Sequence, residues 1–261
     1  MSIHLSPFLY RYFLVLAALF GAVMGSFLHC AAYRLVHGGS VLRGRSRCPA
    51  CGHVLGPGDL IPVVSWLALR GKCRYCGGPI HWRYPVSEGA LALLTALSLA
   101  RFDLTLLGLR NWVLLACLFT LTITDLEDRT IPDLLLAVPA GVWAATSPFL
   151  LSGWREAGLH LAAGLCFGGA VLGLSLWMDR RLGRESLGGG DVKLIALMGL
   201  YLGFAGAMLA LILGCILGLA VIAFRRDKKA PIPFGPALAA AAGGMLLYGE
   251  KLVTWYCHLL F

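Results

Sequence analysis

Long apolar runs alternate with short polar breaks along the chain, and the lengths of the runs predict the elements. A helix that crosses a bilayer needs about 20 mainly apolar residues. Phe8–Leu28 is the first such run, and the polar stretch from about Tyr33 to Tyr84 that follows it is rich in Gly, Pro, Arg and Cys. Pro85–Phe102 supplies a second span and Trp112–Thr124 the core of a third. After a short acidic break come the fourth, Leu134–Leu151, and the fifth, Ala157–Met178, then a polar loop to Gly190. The run Val192–Phe224 is too long for one span and too short for two with an ordinary loop. Gly203 and Gly206 lie near its middle, so it splits there into a short sixth and a seventh span joined by a tight turn. Arg225–Pro233 is a basic loop and Gly235–Leu260 the eighth span. The pattern predicts an all-α polytopic membrane protein of about eight transmembrane helices, with a small domain between the first two. Its expected divisions are 1–28, the first helix; 29–84, a cysteine-rich domain; and 85–261, a seven-helix membrane domain. No small-residue cleavage site follows the first run, so it reads as a retained helix and not a removed signal peptide.

Composition agrees. Of 261 residues 59% are apolar and 13% charged, and the mean hydropathy is +0.79. That charged share is about half that of a soluble domain, and disordered chains are poor in apolar residues. The formal charge of +9 would suggest nucleic-acid binding in a soluble protein. Its placement argues otherwise. Eight spans put the segments 29–84, 125–133, 179–193 and 225–233 on one side, and these hold 17 of the 22 Lys and Arg residues. That side is cytoplasmic by the positive-inside rule, and both termini face outward. The expected surroundings are lipid, with no nucleic-acid partner.

Four of the nine cysteines are clustered in the polar segment as Cys48-Pro-Ala-Cys51 and Cys73-Arg-Tyr-Cys76, 21 residues apart. Each pair is close enough for both thiolates to reach one ion, and four thiolates complete the tetrahedron zinc favours. Disulfides are disfavoured on a cytoplasmic face. A four-thiolate site leaves no open position, so the zinc is structural. Gly52 and Gly77 follow each pair, where the turn needs a small residue. His53 and His81 are substitute ligands or exposed loop residues. Cys30, Cys117, Cys166, Cys215 and Cys257 sit singly in or beside apolar runs and read as packing residues.

Carboxylates near apolar spans are functional suspects. Glu88 lies about one turn inside the second span, where a structural pairing with Arg83 or another cation is expected. Asp125 closes the third span, and Asp133, after Ile131-Pro132, is placed to cap the fourth helix. Asp191 opens the sixth span directly after Gly188-Gly189-Gly190, glycines that let a backbone approach closely. Asp125 and Asp191 fall on the same side at similar depth. Two carboxylates in a partly desolvated site share a proton, so one acts as base and the other as acid. On these residues alone an N-cap role for Asp191 competes with catalysis. A small transporter with the two aspartates as a proton relay is the alternative, although relay groups belong near the bilayer midplane.

The ordered motifs resemble those of the bacterial type IV prepilin peptidases, membrane aspartyl proteases of the GxGD type that also act as N-methyltransferases. The resemblance runs through Gly25-Ser26-Phe27-Leu28 with Tyr33-Arg34-Leu35, both cysteine pairs, Arg83-Tyr84-Pro85 with Glu88, Asp125-Leu126 with Ile131-Pro132-Asp133, Gly188-x-Gly190-Asp191-x-Lys193 and Pro233-Phe234-Gly235-Pro236. It implies eight transmembrane helices in the bacterial inner membrane and a prepilin or pseudopilin substrate. The short basic leader of that substrate stays cytoplasmic while its hydrophobic helix lies in the bilayer. It implies catalytic roles for Asp125 and Asp191, with Lys193 in support, and methylation of the freed amine from S-adenosylmethionine. His29 stands where the family usually has Asn, a change that bears on methyl transfer or on local capping. Glu127-Asp128-Arg129 is unusually charged and is expected as a solvated loop.

Overall fold

The computed structural model describes residues 6–41, 44–183, 186–224 and 233–260. Most of the predicted basic loop, 225–232, lies outside them, as do Arg43, Arg184, Glu185 and the side chain of Cys257. No strand occurs among the described residues, only two isolated bridges. The chain forms two compact units that divide after Gly108.

The first unit contains α1 (Pro7–Val36), α2 (Val64–Ala68) and α3 (Arg83–Phe102). Ser6 caps α1, its side chain accepting from the Leu9 N–H at 3.4 Å, and Pro7 takes the first helical position. α1 continues past the predicted end at Leu28 by about two turns, because an apolar run marks the hydrocarbon whereas helical hydrogen bonding persists through the interface. α1 and α3 meet through small residues one turn apart. A Cβ on Gly21 would lie 2.5 Å from Thr95 Oγ1, and one on Gly25 would lie 3.0 Å from Glu88 Cα. His29, the next residue on that face, is buried. Its Nδ1 is 3.0 Å from Ser87 Oγ and its ring lies 4.6 Å from that of Tyr84. It sits inside α1, so it has no capping role.

The second unit holds α4 (Leu106–Asp128, from Leu109 onward), α5 (Asp133–Leu150), α6 (Trp154–Leu182), α7 (Gly189–Phe224) and α8 (Gly235–Leu260). Gly164 and Gly168 of α6 lie against Ala196 of α7, and a Cβ on Gly199 would meet Gly164 Cα at 2.6 Å. α7 is not one rod. Gly203 has φ 65° and ψ −170°, a conformation almost confined to glycine. Asp191, near the start of α7, lies within electrostatic reach of Asp125. Gly218, near its end, packs on Phe234, next to the Gly235 that touches Asp125. The two arms of α7 therefore run in opposite directions and reverse at Gly203, as the apolar run predicted. Counting them separately, the described residues hold eight helical segments besides the five-residue α2, the sixth of them short. Among the described residues five helices are long and apolar enough to cross a membrane: α1, α4, α5, α6 and α7. α3 and α8 add 20 and 26 residues.

Candidate active site and metal centre

The cysteine segment builds one turn twice. The Cys48 N–H donates to His53 O at 2.9 Å and the Cys73 N–H to Gly78 O at 2.8 Å. The Gly52 N–H returns to Cys48 O and the Gly77 N–H to Cys73 O, and both glycines have φ 70°. Isolated bridges close each turn, Arg47 with Val54 and Lys72 with Pro79. This short structural repeat was invisible as sequence identity because it is carried by backbone bonds and only Cys and Gly recur. The four Sγ atoms lie within 4.8 Å of one another, Cys48 and Cys76 at 3.9 Å, and all four cysteines are free. Zinc–sulfur bonds of about 2.3 Å put tetrahedral thiolates about 3.8 Å apart. The donor set thus fits a tetrahedral metal with little adjustment.

The electrostatics also favour a cation there. Backbone N–H groups of Cys51 and Ala50 draw the Cys48 thiol down to about 7. Although the Gly78 N–H also points at Cys76, the Cys51 thiol, burial and the Cys73 and Cys48 thiols push Cys76 up to about 11. Four thiolates cannot gather without positive charge. His53 lies tilted against Tyr75 with ring centroids 3.7 Å apart, and His81 Nδ1 accepts the Arg83 N–H, so neither joins the cluster. Asp59 accepts from Arg74 Nε at 2.7 Å and from Tyr75 at 3.3 Å, tying the 3₁₀ turn at Pro57–Asp59 to the second cysteine pair. Glu88 is buried and accepts the Val63 N–H at 2.6 Å, where Val63 has φ 60°. The partner it has is this strained backbone, and no ion pair with Arg83 occurs among the described residues.

In the second unit, α4 runs to Asp128, so Asp125 lies within its last turn and is 5% exposed. Arg129, φ 55°, ends the helix by donating its N–H to Asp125 O at 3.1 Å. Glu127 is half-buried in that turn, Asp128 is exposed but still helical, and only Arg129 lies in the solvated loop expected for this trio. Asp191 is the third residue of α7 and Gly188 precedes the helix, so Asp191 is not its N-cap. Asp133 is the first residue of α5, makes no capping bond, and instead pairs with Lys193 Nζ at 2.6 Å. Capping failed there because Asp133 is one position inside the helix and Lys193 lies in reach across from it.

Glycines bring the aspartates together. A Cβ on Gly190 would lie 2.7 Å from Ile131 Cβ, so its bare backbone lets the start of α7 close on the α4–α5 turn. A Cβ on Gly235 would lie 2.6 Å from Asp125 Oδ2, so the start of α8 closes on the other side. Gly188 faces Asp191 itself, with 3.5 Å from an added Cβ to Asp191 Oδ2. Asp125 and Asp191 lie within electrostatic reach. Asp125 Oδ2 and Asp191 Oδ1 are buried with no hydrogen-bond partner among the described residues. The packing of Ile131 on Gly190 and of Gly235 on Asp125 escaped sequence reasoning, although all four residues lie in motifs that it singled out. Both aspartates sit at helix ends and not at mid-helix, which disfavours a midplane relay.

Residues 19–102 match the family model described as Bacterial Peptidase A24 N-terminal domain, and residues 112–223 match the Type IV leader peptidase family. A relative from Bacillus subtilis (strain 168) named "Prepilin leader peptidase/N-methyltransferase" is 33% identical over 249 residues, covering 92% of this chain and 96% of its own. Proteins of the same name from Aeromonas hydrophila and Pseudomonas putida are 39% and 32% identical, covering 81% and 95% of this chain and 74% and 95% of theirs. No solved structure matches the chain. The chain belongs to the type IV leader peptidase family.

Proposed function

We propose that the protein is a bacterial inner-membrane aspartic endopeptidase that removes the leader of prepilins or pseudopilins and N-methylates the new terminus, with Asp125 and Asp191 as its catalytic pair. The observation that carries the assignment of residues is the gathering of two carboxylates at the ends of α4 and α7, each with a buried oxygen lacking a partner. Two such groups in reach of each other ionise one at a time. The ionised carboxylate takes a proton from water as its oxygen attacks the scissile carbonyl. The protonated one gives its proton to the carbonyl oxygen as the carbonyl carbon becomes tetrahedral, giving a gem-diol. Collapse breaks the C–N bond, and a proton passes from the pair to the leaving amine. Peptide hydrolysis is completed without a covalent intermediate.

Lys193 and Asp133 form an exposed pair beside this site and support its entrance. Cys48, Cys51, Cys73 and Cys76 would hold a structural zinc, which folds a polar segment too small to keep a core of its own. Methylation draws on S-adenosylmethionine, for which no glycine-rich fingerprint marks binding residues. The 17 basic residues support an orientation with the cysteine segment and both aspartates cytoplasmic and the termini outside.

The test is leader cleavage of a purified prepilin by detergent-solubilised enzyme. Asp125→Asn and Asp191→Asn keep size and remove the acid, and each should lower the rate at least about a hundredfold. Near-normal cleavage by either variant excludes that residue from the pair.

A further inference from the structure

Between the two cysteine pairs the chain turns its apolar side outward. Ile61, Val64 and Leu67 recur every third residue into and along α2, and are 50%, 59% and 62% exposed. Ala68 extends the same exposed face. Trp66, on the opposite side, is half-buried and donates Nε1–H to Ile80 O at 3.0 Å. A helix bathed in water turns its apolar face inward, so this face has a partner outside the chain. Two contacts within the first unit fix its height. A Cβ on Gly25 would lie 3.0 Å from Glu88 Cα, so Glu88 stands level with a residue about three positions from the end of the apolar run Phe8–Leu28. Three residues of helix are about 4.5 Å, which puts Glu88 at the edge of the hydrocarbon. Its Oε2 accepts the N–H of Val63, the residue just before α2. Val63 has φ 60°, a backbone that β-branched residues rarely take, and the carboxylate holds the entry to α2 there.

We infer that residues 60–68 seat the cysteine segment on the membrane surface, with Ile61, Val64 and Leu67 among the lipid chains just below the headgroups. The inference rests on α1 as a spanning helix and is independent of the peptidase reading. Depth selects lipid as the partner, because an uncovered face at the hydrocarbon edge meets lipid before it meets anything else. Charge agrees. Interfacial segments pair an apolar face with basic residues that reach lipid phosphates. Arg70 and Lys72 follow α2 directly and Arg83 opens α3, and all three are exposed. Asp59, the only acidic residue from 44 to 84, is already paired with Arg74. The other cations therefore have no carboxylate of that segment to pair with, and an anionic leaflet supplies the complement. Trp82, 59% exposed where α3 begins, stands where aromatic side chains gather at membrane interfaces.

The test puts a nitroxide at Val64 or at Leu67 of the full-length protein, in lipid nanodiscs that contain phosphatidylglycerol. A genetically encoded amino acid carries the label, so the native cysteines stay untouched, and both side chains are exposed, so the label displaces no packing. Collisions are measured with molecular oxygen, which concentrates among lipid chains, and with an inert water-soluble paramagnetic complex. A label at Leu19, exposed in the middle of α1, gives the lipid reference. At both test positions oxygen collisions should exceed aqueous ones severalfold, as at Leu19. Dominant aqueous collisions would put the face in water and overturn the inference. Exclusion of both reagents would mean that protein covers the face, and would overturn it equally. In discs of phosphatidylcholine alone, aqueous access at Leu67 should rise about twofold or more. No change there would overturn the part given to the basic residues. None of these readings depends on cleavage, so a failed peptidase assignment leaves them intact.

Discussion

At the scale of single residues, the site is built as much by absent side chains as by present ones. Gly188-Gly189-Gly190 looks uniform in sequence, yet the three positions differ. A Cβ at Gly189 meets nothing within 4 Å, whereas one at Gly190 would collide with Ile131. Gly189→Ala should therefore leave cleavage within about twofold of wild type. Gly190→Ala and Gly235→Ala should each lower kcat about tenfold or more, by forcing the elements that carry the aspartates apart. Steady-state cleavage of one prepilin by the three variants checks this, and equal loss in all three contradicts it. The sequence could name these glycines as a motif but could not rank them, because the ranking depends on Ile131 and Asp125 arriving from other helices.

Asp59 gives a residue-scale prediction about pH. The Arg74 guanidinium beside it holds its carboxyl below the usual range, helped by the Gly56 N–H and Tyr75. Its stabilising effect is thus full above the unfolded pKa of about 4. It is lost as pH falls through the lower folded value. Hydrogen exchange of residues 57–76, corrected for intrinsic rates, should show wild type better protected than Asp59→Asn at pH 6. That difference should vanish in strong acid. A difference independent of pH would mean that packing, not charge, carries the contact.

At the scale of elements, the proposed zinc would hold the cysteine segment together more than a hydrophobic core does. Its short helix α2 has no buried residue, and its order comes from two hydrogen-bonded turns facing four sulfurs. The purified protein should carry one zinc per chain. A strong chelator should strip it and expose residues 44–82 to protease while the long helices remain, because metal binding and folding are coupled in such small segments. Metal analysis with limited proteolysis decides it, and a metal-free protein with an intact segment would contradict the assignment. The spacing of the cysteines was legible in sequence because two short pairs leave few other uses. The reversal in α7 was legible because Gly203 and Gly206 lie near the middle of a run too long for one span, and it is Gly203 that takes the reversing backbone. The misplaced helix ends share one cause. Val36, Asp128 and Leu182 are ends set by hydrogen bonding, whereas the sequence displays only where the hydrocarbon stops.

At the scale of the whole molecule, charge, chemistry and chain direction share one logic. The segments rich in Lys and Arg are also those that hold the cysteine cluster and both aspartates, so the proposed positive-inside orientation would put the proposed chemistry where a basic leader is presented. Partnership between Asp125 and Asp191 was only half legible. Their common side followed from counting spans, but their meeting depends on Gly190 and Gly235 clearing the way. The central claim is that the two aspartates act as one unit, and residues that act as a unit are non-additive. The most direct measurement is single-turnover cleavage of a purified prepilin by Asp125→Asn, by Asp191→Asn and by the double variant. The account predicts that each single variant falls to the same residual rate as the double. A single variant that keeps substantial activity, or a double variant whose loss is the product of the two single losses, would contradict it.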